Sequence, residues 1–242
     1  MDAIGIIPAR YYSTRFEGKV LKDLLGKSVI RHVWENARRA AALDDLIVAT
    51  DDERIRDEVV AFGGKVVLTA KQHRTGTDRL REVVYNMDVK VVVNIQADEP
   101  LLHPSMIDSI VTPLLENKGI VMSTLKKAID NPEEINNPGV VKVVTDKDGY
   151  ALYFSRAPIP YPRFDKRAVF YKHIGLYAFS KDFLFTFNNL PASMLEDTEG
   201  LEQLRVLESG YKIKVIETQF DTVGIDTPDD LERAKTALSL RL

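Results

Sequence analysis

Three groups of residues, far apart in the chain, are of types that handle phosphate and metal. Arg10, Arg15 and Lys19 stand in "PARYYSTRFEGK", residues 8–19; Gln96, Asp98 and Glu99 follow the apolar run "VVVNI"; and Asp226 stands in "GIDTP". Guanidinium and ammonium groups donate to phosphate oxygens, and one or two carboxylates complete a magnesium octahedron with phosphate and water. Read together, they make a nucleoside triphosphate site with Mg²⁺ on Asp98 and Asp226. Read singly, each has a plainer meaning. The loop contains neither G-x-x-x-x-G-K-[ST] nor G-x-G-x-x-G, so alone it is more readily a solvated basic turn. Asp98, before Glu99-Pro100, also suits a turn, and Asp226 also suits the approach to a helix cap.

Only a fold that brings the three groups to one edge favours the joint reading, and the sequence pattern supplies one. Short apolar runs alternate with helical patterns: strands over 3–8, 46–50, 65–70 and 91–95, and helices over 51–62 and 77–87. Ser28 is placed to cap a helix whose Val29, Ile30, Val33, Trp34 and Ala37 share a face. All-apolar strands separated by helices predict an α/β fold with a mainly parallel central sheet flanked by helices, and ligands bind such sheets beyond the carboxyl ends of the strands. After residue 126 the pattern changes. "KKAIDNPEEINNPG" reads as a polar connection, residues 140–156 as a hairpin turning near Asp148 and Gly149, and "SRAPIPYPR" as extended chain. "KHIGLYAF" reads as a strand, 194–209 as one helix, "YKIKVIE" as a strand, and Thr227-Pro228 as the opening of a last helix.

Composition narrows the classes. The chain has 242 residues, 45% of them hydrophobic, and a formal net charge of -3, which argues against a nucleic-acid-coating surface while leaving room for a local basic pocket. With no cysteine, disulfides, zinc ribbons and thiol nucleophiles are excluded. His32, His73, His103 and His173 lack paired ligand spacing, which argues against zinc. The start "MDAIGIIPAR" has neither the charge nor the apolar length of a signal or membrane span. The expectation is a cytoplasmic protein of one domain, 1–242, without membrane insertion or a nucleic-acid partner.

The stretches "IPARYYSTRFEGK", "IVATDDERI", "TGTDRL", "NIQADEP", "GYALYFSRAPIPY", "KHIGLYAF", "GLEQLRVLE" and "GIDTPDDLE" run in order along nearly the whole chain. As a set they resemble the 3-deoxy-manno-octulosonate cytidylyltransferases, the CMP-Kdo synthetases. The resemblance implies a Rossmann-like nucleotidyltransferase with a smaller β-rich subregion, over 140–190, for sugar binding and dimer contact. It implies transfer of CMP from CTP to the anomeric hydroxyl of 3-deoxy-manno-octulosonate (Kdo) with Mg²⁺ as cofactor, releasing pyrophosphate and serving lipopolysaccharide synthesis. Carried over by position, Arg10, Ser13, Arg15 and Lys19 would hold the triphosphate, with Ala9 and Thr14 of the same loop beside the nucleotide. Arg74, Thr77 and Gln96 lie in motifs near the cytidine, Asp98 and Asp226 would bind the metal, and Arg156, His173, Tyr177, Glu202 and Gln203 would surround the sugar. The groups implied to act in catalysis are Arg10, Lys19, Asp98 and Asp226.

The sequence departs from the family pattern on the nucleotide side. Tyr12 stands where a small residue is usual, Glu17 and Val20 where prolines are usual, and Ala97 where glycine is usual. Glu17 is expected to point away from phosphate or to pair with Lys19 or Lys22. Loss of two prolines loosens the free loop, and Ala97 adds a methyl group where close approach or a glycine-only dihedral would matter. Two other readings follow: transfer to a related acidic sugar such as 8-amino-Kdo or with a different nucleotide, and a weakly active homologue that binds sugar.

Overall fold

The computed structural model describes residues 1–13, 15–73, 75–164 and 168–240. Strand β1 (Ala3–Ala9) leads through a 3-10 turn (Lys19–Leu21) and two short strands, β2 (Asp23–Leu24) and β3 (Lys27–Ser28), to helix α1 (Val29–Ala37). Strands and helices then alternate as β4 (Asp45–Thr50), α2 (Glu53–Ala61), β5 (Val66–Leu68), α3 (Gly76–Val84), β6 (Val91–Asn94), α4 (Pro104–Glu116) and β7 (Met122–Ala128). A short helix α5 (Glu133–Asn136) precedes the hairpin β8 (Lys142–Thr145) and β9 (Ala151–Ser155) and the long strand β10 (Tyr171–Ser180). Helices α6 (Lys181–Asn189), α7 (Met194–Glu199) and α8 (Gln203–Glu208), strand β11 (Lys214–Glu217) and helix α9 (Pro228–Ser239) follow.

The sheet order is β11-β7-β10-β6-β1-β4-β5, with β8 paired to β10 and β9. Every pair along that path is parallel except those of β10, which runs antiparallel to both β6 and β7. Alternation along the strands feeds two cores. In β1, Ala3, Ile7 and Ala9 face a layer with α1, α2 and α4, while Ile4 and Ile6 face Leu80 and Val84 of α3 and Phe183 and Phe187 of α6. Full burial of each such aliphatic side chain stabilises the fold by about 1.5–3 kcal/mol, so the sheet is anchored on both faces. The strand ends it carries therefore have fixed positions.

The α/β reading holds, with the mainly parallel sheet and its flanking helices. Ser28 caps α1, its hydroxyl accepting from the Arg31 N–H, and the five residues expected on the inner face are the buried ones. The hairpin and the cap at Thr227 also form as read. Two expectations are corrected. Residues 194–209 form two helices, because Gly200 takes a left-handed conformation (φ +63) and ends α7 by donating to the Glu196 carbonyl. The connection read from residue 126 starts inside β7, which runs to Ala128. The larger elements outside the sequence reading are α4, β7 and α6. Pro113 interrupts the helical pattern of α4, and buried Ser123 and Thr124 hide β7 from a search for apolar runs.

Candidate functional site

The loop after β1, the loop after β6 and the approach to α9 meet at one end of the sheet. The Ile225 N–H donates to the Asp98 carbonyl at 2.9 Å, which ties the second loop to the third. Asp230 holds Asp226 in place, its Oδ2 accepting from the N–H of Asp226 (3.2 Å) and of Thr227 (3.0 Å) in a reciprocal capping box. Lys19, on the 3-10 turn, places its ammonium between the two carboxylates, donating to Asp98 Oδ2 and to Asp226 Oδ1 (2.8 Å). Arg15 reaches the other oxygen of Asp226 at 2.9 Å. Burial opposes the charge on Lys19, but Asp98 and Asp226 outweigh it and hold the ammonium above its usual range. Beside them the Glu99 carboxyl is pushed up to about 8 by burial and by the charges of Asp98 and Asp221.

Two carboxylates that turn oxygens to one ammonium nitrogen surround a point where a cation belongs. Among the described residues no group of three or more His, Asp or Glu side chains is placed to hold a metal. Magnesium needs no more than two carboxylates when phosphate and water fill the shell, so the donor set of Asp98 and Asp226 fits such an ion.

Next to this cluster lies a cavity of about 410 Å³ lined by Arg10, Tyr12, Ser13, Lys19, Gln96 and Asp98, among others. Arg10 donates to the His73 carbonyl at 2.7 Å, and Gln96 to the Gly175 carbonyl at 3.3 Å. Ala9 is buried at the end of β1, paired with Thr50. Thr77 is buried in the first turn of α3 with its hydroxyl 3.4 Å from Glu202. Thr14 and Arg74 lie outside the described residues. Of the departures, Ala97 lines the cavity but is not among the residues with positive φ, so the backbone there accepts a side chain. Glu17 is exposed, with Lys19 engaged at the carboxylates and Lys22 over the Phe16 ring.

The residues read around the sugar sit deeper. His173 and Tyr177 lie on β10, His173 just before and Tyr177 within the stretch where its pairing with β7 changes register, their rings 5.4 Å apart. His173 also packs edge-on against Phe154 at 4.9 Å, and burial drops its imidazole to about 3, so the ring is neutral. Its Nε2 lies 2.9 Å from Thr124 Oγ1, which is itself 2.9 Å from the Leu176 carbonyl and 3.1 Å from that of Ile174. The Thr124 hydroxyl therefore joins the His173 ring to the backbone of β10. Burial raises the Tyr177 hydroxyl far above its ordinary range and also raises Glu202, against the pull of Arg205 and Thr77. Gln203 is buried and its Nε2 finds no partner among the described residues. The Arg156 guanidinium donates to the carbonyls of Glu199 (2.6 Å) and Pro138 (2.8 Å), so it buttresses the end of α7 against the hairpin.

Sequence reasoning missed Asp230 and gave Glu99 no role of its own. The T-x-x-D spacing from Thr227 carries the signal for Asp230, since it is a capping box. For Glu99 the sequence holds none beyond its place next to Asp98, because its protonation depends on burial.

The geometry agrees with likeness to known proteins. A family model described as cytidylyltransferase matches residues 4–213. The chain is 49% identical to the 3-deoxy-manno-octulosonate cytidylyltransferase of Geotalea uraniireducens, over 96% of this chain and 97% of that one. It is 52% identical to the protein of the same name from Syntrophotalea carbinolica, over 98% and 99%. Among solved structures, a CMP:2-keto-3-deoxy-manno-octonic acid synthetase complexed with CTP superposes with a TM-score of 0.95, at 41% identity and 100% of both chains. A 4-diphosphocytidyl-2C-methyl-D-erythritol synthase from Anaerococcus prevotii, 15% identical with a TM-score of 0.65 over 98% of this chain and 96% of that one, shares the fold. The chain belongs to the 3-deoxy-manno-octulosonate cytidylyltransferase family.

Proposed function

We propose that this protein transfers CMP from CTP to the anomeric hydroxyl of Kdo. The observation that carries this reading is the meeting of Lys19, Asp98 and Asp226 beside the cation-lined cavity, in a chain alike over its full length to named cytidylyltransferases. The sugar oxygen bonds to the α-phosphorus as the bridge to the β-phosphate breaks; pyrophosphate leaves and the hydroxyl proton is released. Such in-line transfer asks the protein to position the nucleophile and to neutralise charge on phosphate oxygens, with no covalent intermediate.

Arg10, Ser13, Arg15 and Lys19 hold the triphosphate in this reading, and Gln96 and Thr77 lie toward the nucleoside. Asp98 and Asp226 would hold Mg²⁺, which supplies charge neutralisation at the α-phosphate and acidifies the sugar hydroxyl. Lys19 then transfers its hydrogen bonds from carboxylate to phosphate, exchanging one anion for another at no loss of pairing. The neutral His173, the Tyr177 hydroxyl and the Gln203 Nε2, which has no partner among the described residues, offer the sugar directional hydrogen bonds in a dry site. Glu202 links this side to Thr77. The places of Ala9, Thr14, Arg74 and Arg156 at the ligands rest on the resemblance.

Leu152, Tyr161, Phe164 and Val169 are exposed on the hairpin and the chain that follows it, which supports a second copy of the chain as partner there. The absence of cysteine suits the cytoplasm; among the described residues no helix is long and apolar enough to cross a membrane. Pyrophosphate release, measured with each nucleoside triphosphate, with Kdo or a competing acid and with or without Mg²⁺, tests the reading. CTP, Kdo and Mg²⁺ together should give turnover, and no release under any combination overturns it. A light-scattering mass of one chain removes the dimer.

A further inference from the structure

The nucleotide loop is fastened from outside by a residue that the catalytic reading does not use. Arg54 lies in the first turn of α2, with its guanidinium carbon 3.2 Å from the centroid of the Tyr11 ring and 5.6 Å from that of Tyr12. The two rings meet edge to face at 5.5 Å. Arg54 is itself held by a fork of hydrogen bonds to Asp52, Nε to Oδ1 at 2.9 Å and the terminal nitrogen to Oδ2 at 2.6 Å. Asp52 is the N-cap of α2, accepting from the Arg54 N–H, so the guanidinium is anchored to a helix end. Tyr11 also closes the loop on itself. Its carbonyl accepts from the Gly18 N–H at 2.8 Å, and its ring packs so near Gly18 (φ +65) that a Cβ there would come within 3.0 Å.

The consequence lies one residue further on. Tyr12 is 74% exposed yet lines the cavity formed by Arg10, Ser13, Lys19, Gln96 and Asp98. A loop with Glu17 and Val20 in place of prolines has more conformations to give up on binding, and a fixed contact to a helix removes them beforehand. We infer that Arg54 is a positioning residue for CTP: by clamping Tyr11 and Tyr12 it holds the basic loop in its binding shape and sets the outer wall of the nucleotide cavity. Arg54 is not among the residues that line the cavity, so its effect falls on nucleotide affinity rather than on the chemical step. The inference rests on the CMP-transfer reading above.

The test is steady-state kinetics of pyrophosphate release with CTP binding measured in parallel by calorimetry. The parent protein comes first; no turnover and no CTP binding in it would sink the CMP-transfer reading itself. With an active parent, Arg54→Ala should raise the KM and Kd for CTP about tenfold, the scale of one well-placed cation–π contact, with kcat and the sugar KM within about twofold. Arg54→Lys should fall between, because ammonium stacks on the ring less well than guanidinium. Adding Val20→Pro to the Arg54→Ala variant should recover most of the lost affinity, since Val20 is the middle residue of a 3-10 turn whose φ suits proline. A CTP affinity unchanged in Arg54→Ala overturns the inference. So does an equal rise in both KM values with a lowered Tm, which marks a merely structural role.

Discussion

The side proposed for the nucleotide and the side proposed for the sugar are built in opposite ways. At the first, charge faces charge near solvent: the Arg15 and Asp226 side chains are 66% and 41% exposed, and Lys19 spans two carboxylates. At the second, burial leaves the His173 ring neutral, at about 3, and shifts Tyr177 and Glu202 upward, and hydrogen bonds and ring packing hold the group. Ion pairs that already exist can be exchanged when an anion arrives, so the first side meets a polyanion by re-pairing. A dry, pre-built site gains specificity from groups that cannot be left unpaired. The departures from the family pattern fall on both kinds of ground, Tyr12 and Glu17 on the exposed face of the loop and Val20 and Ala97 at its buried base.

The comparison breaks most easily at the carboxylates. Asp98→Asn and Asp226→Asn should each lower kcat by about 10²- to 10³-fold, as loss of a group that stabilises developing charge does, with the circular dichroism spectrum unchanged. Near-normal turnover in both would remove the metal assignment.

The next effect sharpens the sugar side. Folded His173 takes its proton only near pH 3 and the unfolded chain near 6.5, so below 6.5 the unfolded state gains a proton that the folded state refuses. Stability from this group is present above pH 6.5 and falls progressively toward pH 3. Glu99, raised to about 8, has the opposite sign between 4.5 and 8, which masks the histidine in the whole profile. Urea unfolding of the parent and of His173→Gln at pH 7 and pH 5 isolates it: the parent should lose about 2 kcal/mol more than the variant. Equal losses would mean that His173 is not buried as a neutral ring.

Removing the Lys19 ammonium separates its two roles. Lys19→Met should tighten Mn²⁺ binding in the absence of nucleotide about tenfold, because the ion no longer competes with an internal cation, while CTP affinity falls. Weaker Mn²⁺ binding in the variant would show that the carboxylates do not form a shared cation site. The smallest effect is that of salt. Raising KCl about tenfold, from low to moderate ionic strength, should increase the KM for CTP severalfold more than the KM for the sugar, because exposed charges are screened and buried hydrogen bonds are not. Parallel slopes would erase the contrast between the two sides.

Parts of this arrangement are readable before folding and parts are not. The strands ending at Ala9 and Asn94, the cap at Ser28 and the turn near Gly149 follow from local pattern, because period and turn chemistry act within a few residues. Helix α4 and strand β7 escaped because a proline and two buried hydroxyl residues contradict their local signal while tertiary packing overrides it. Arg156 is grouped with the sugar residues by its motif; that its guanidinium also buttresses α7, through the carbonyls of Glu199 and Pro138, follows only from the fold.

The sequence by itself determined the kinds of groups present: a basic loop, two carboxylates after strand ends, a histidine and a tyrosine four residues apart, and the alternation that makes a parallel sheet. Only the tertiary structure decided which of them pair. Lys19 reaches carboxylates 79 and 207 residues away, and it does so because the Ile225–Asp98 backbone bond and the Asp230 cap fix the two loops side by side. Protonation was decided there too, since His173 and Glu99 owe their neutral forms to loss of water, a property of the packed neighbourhood that no residue carries in its own side chain.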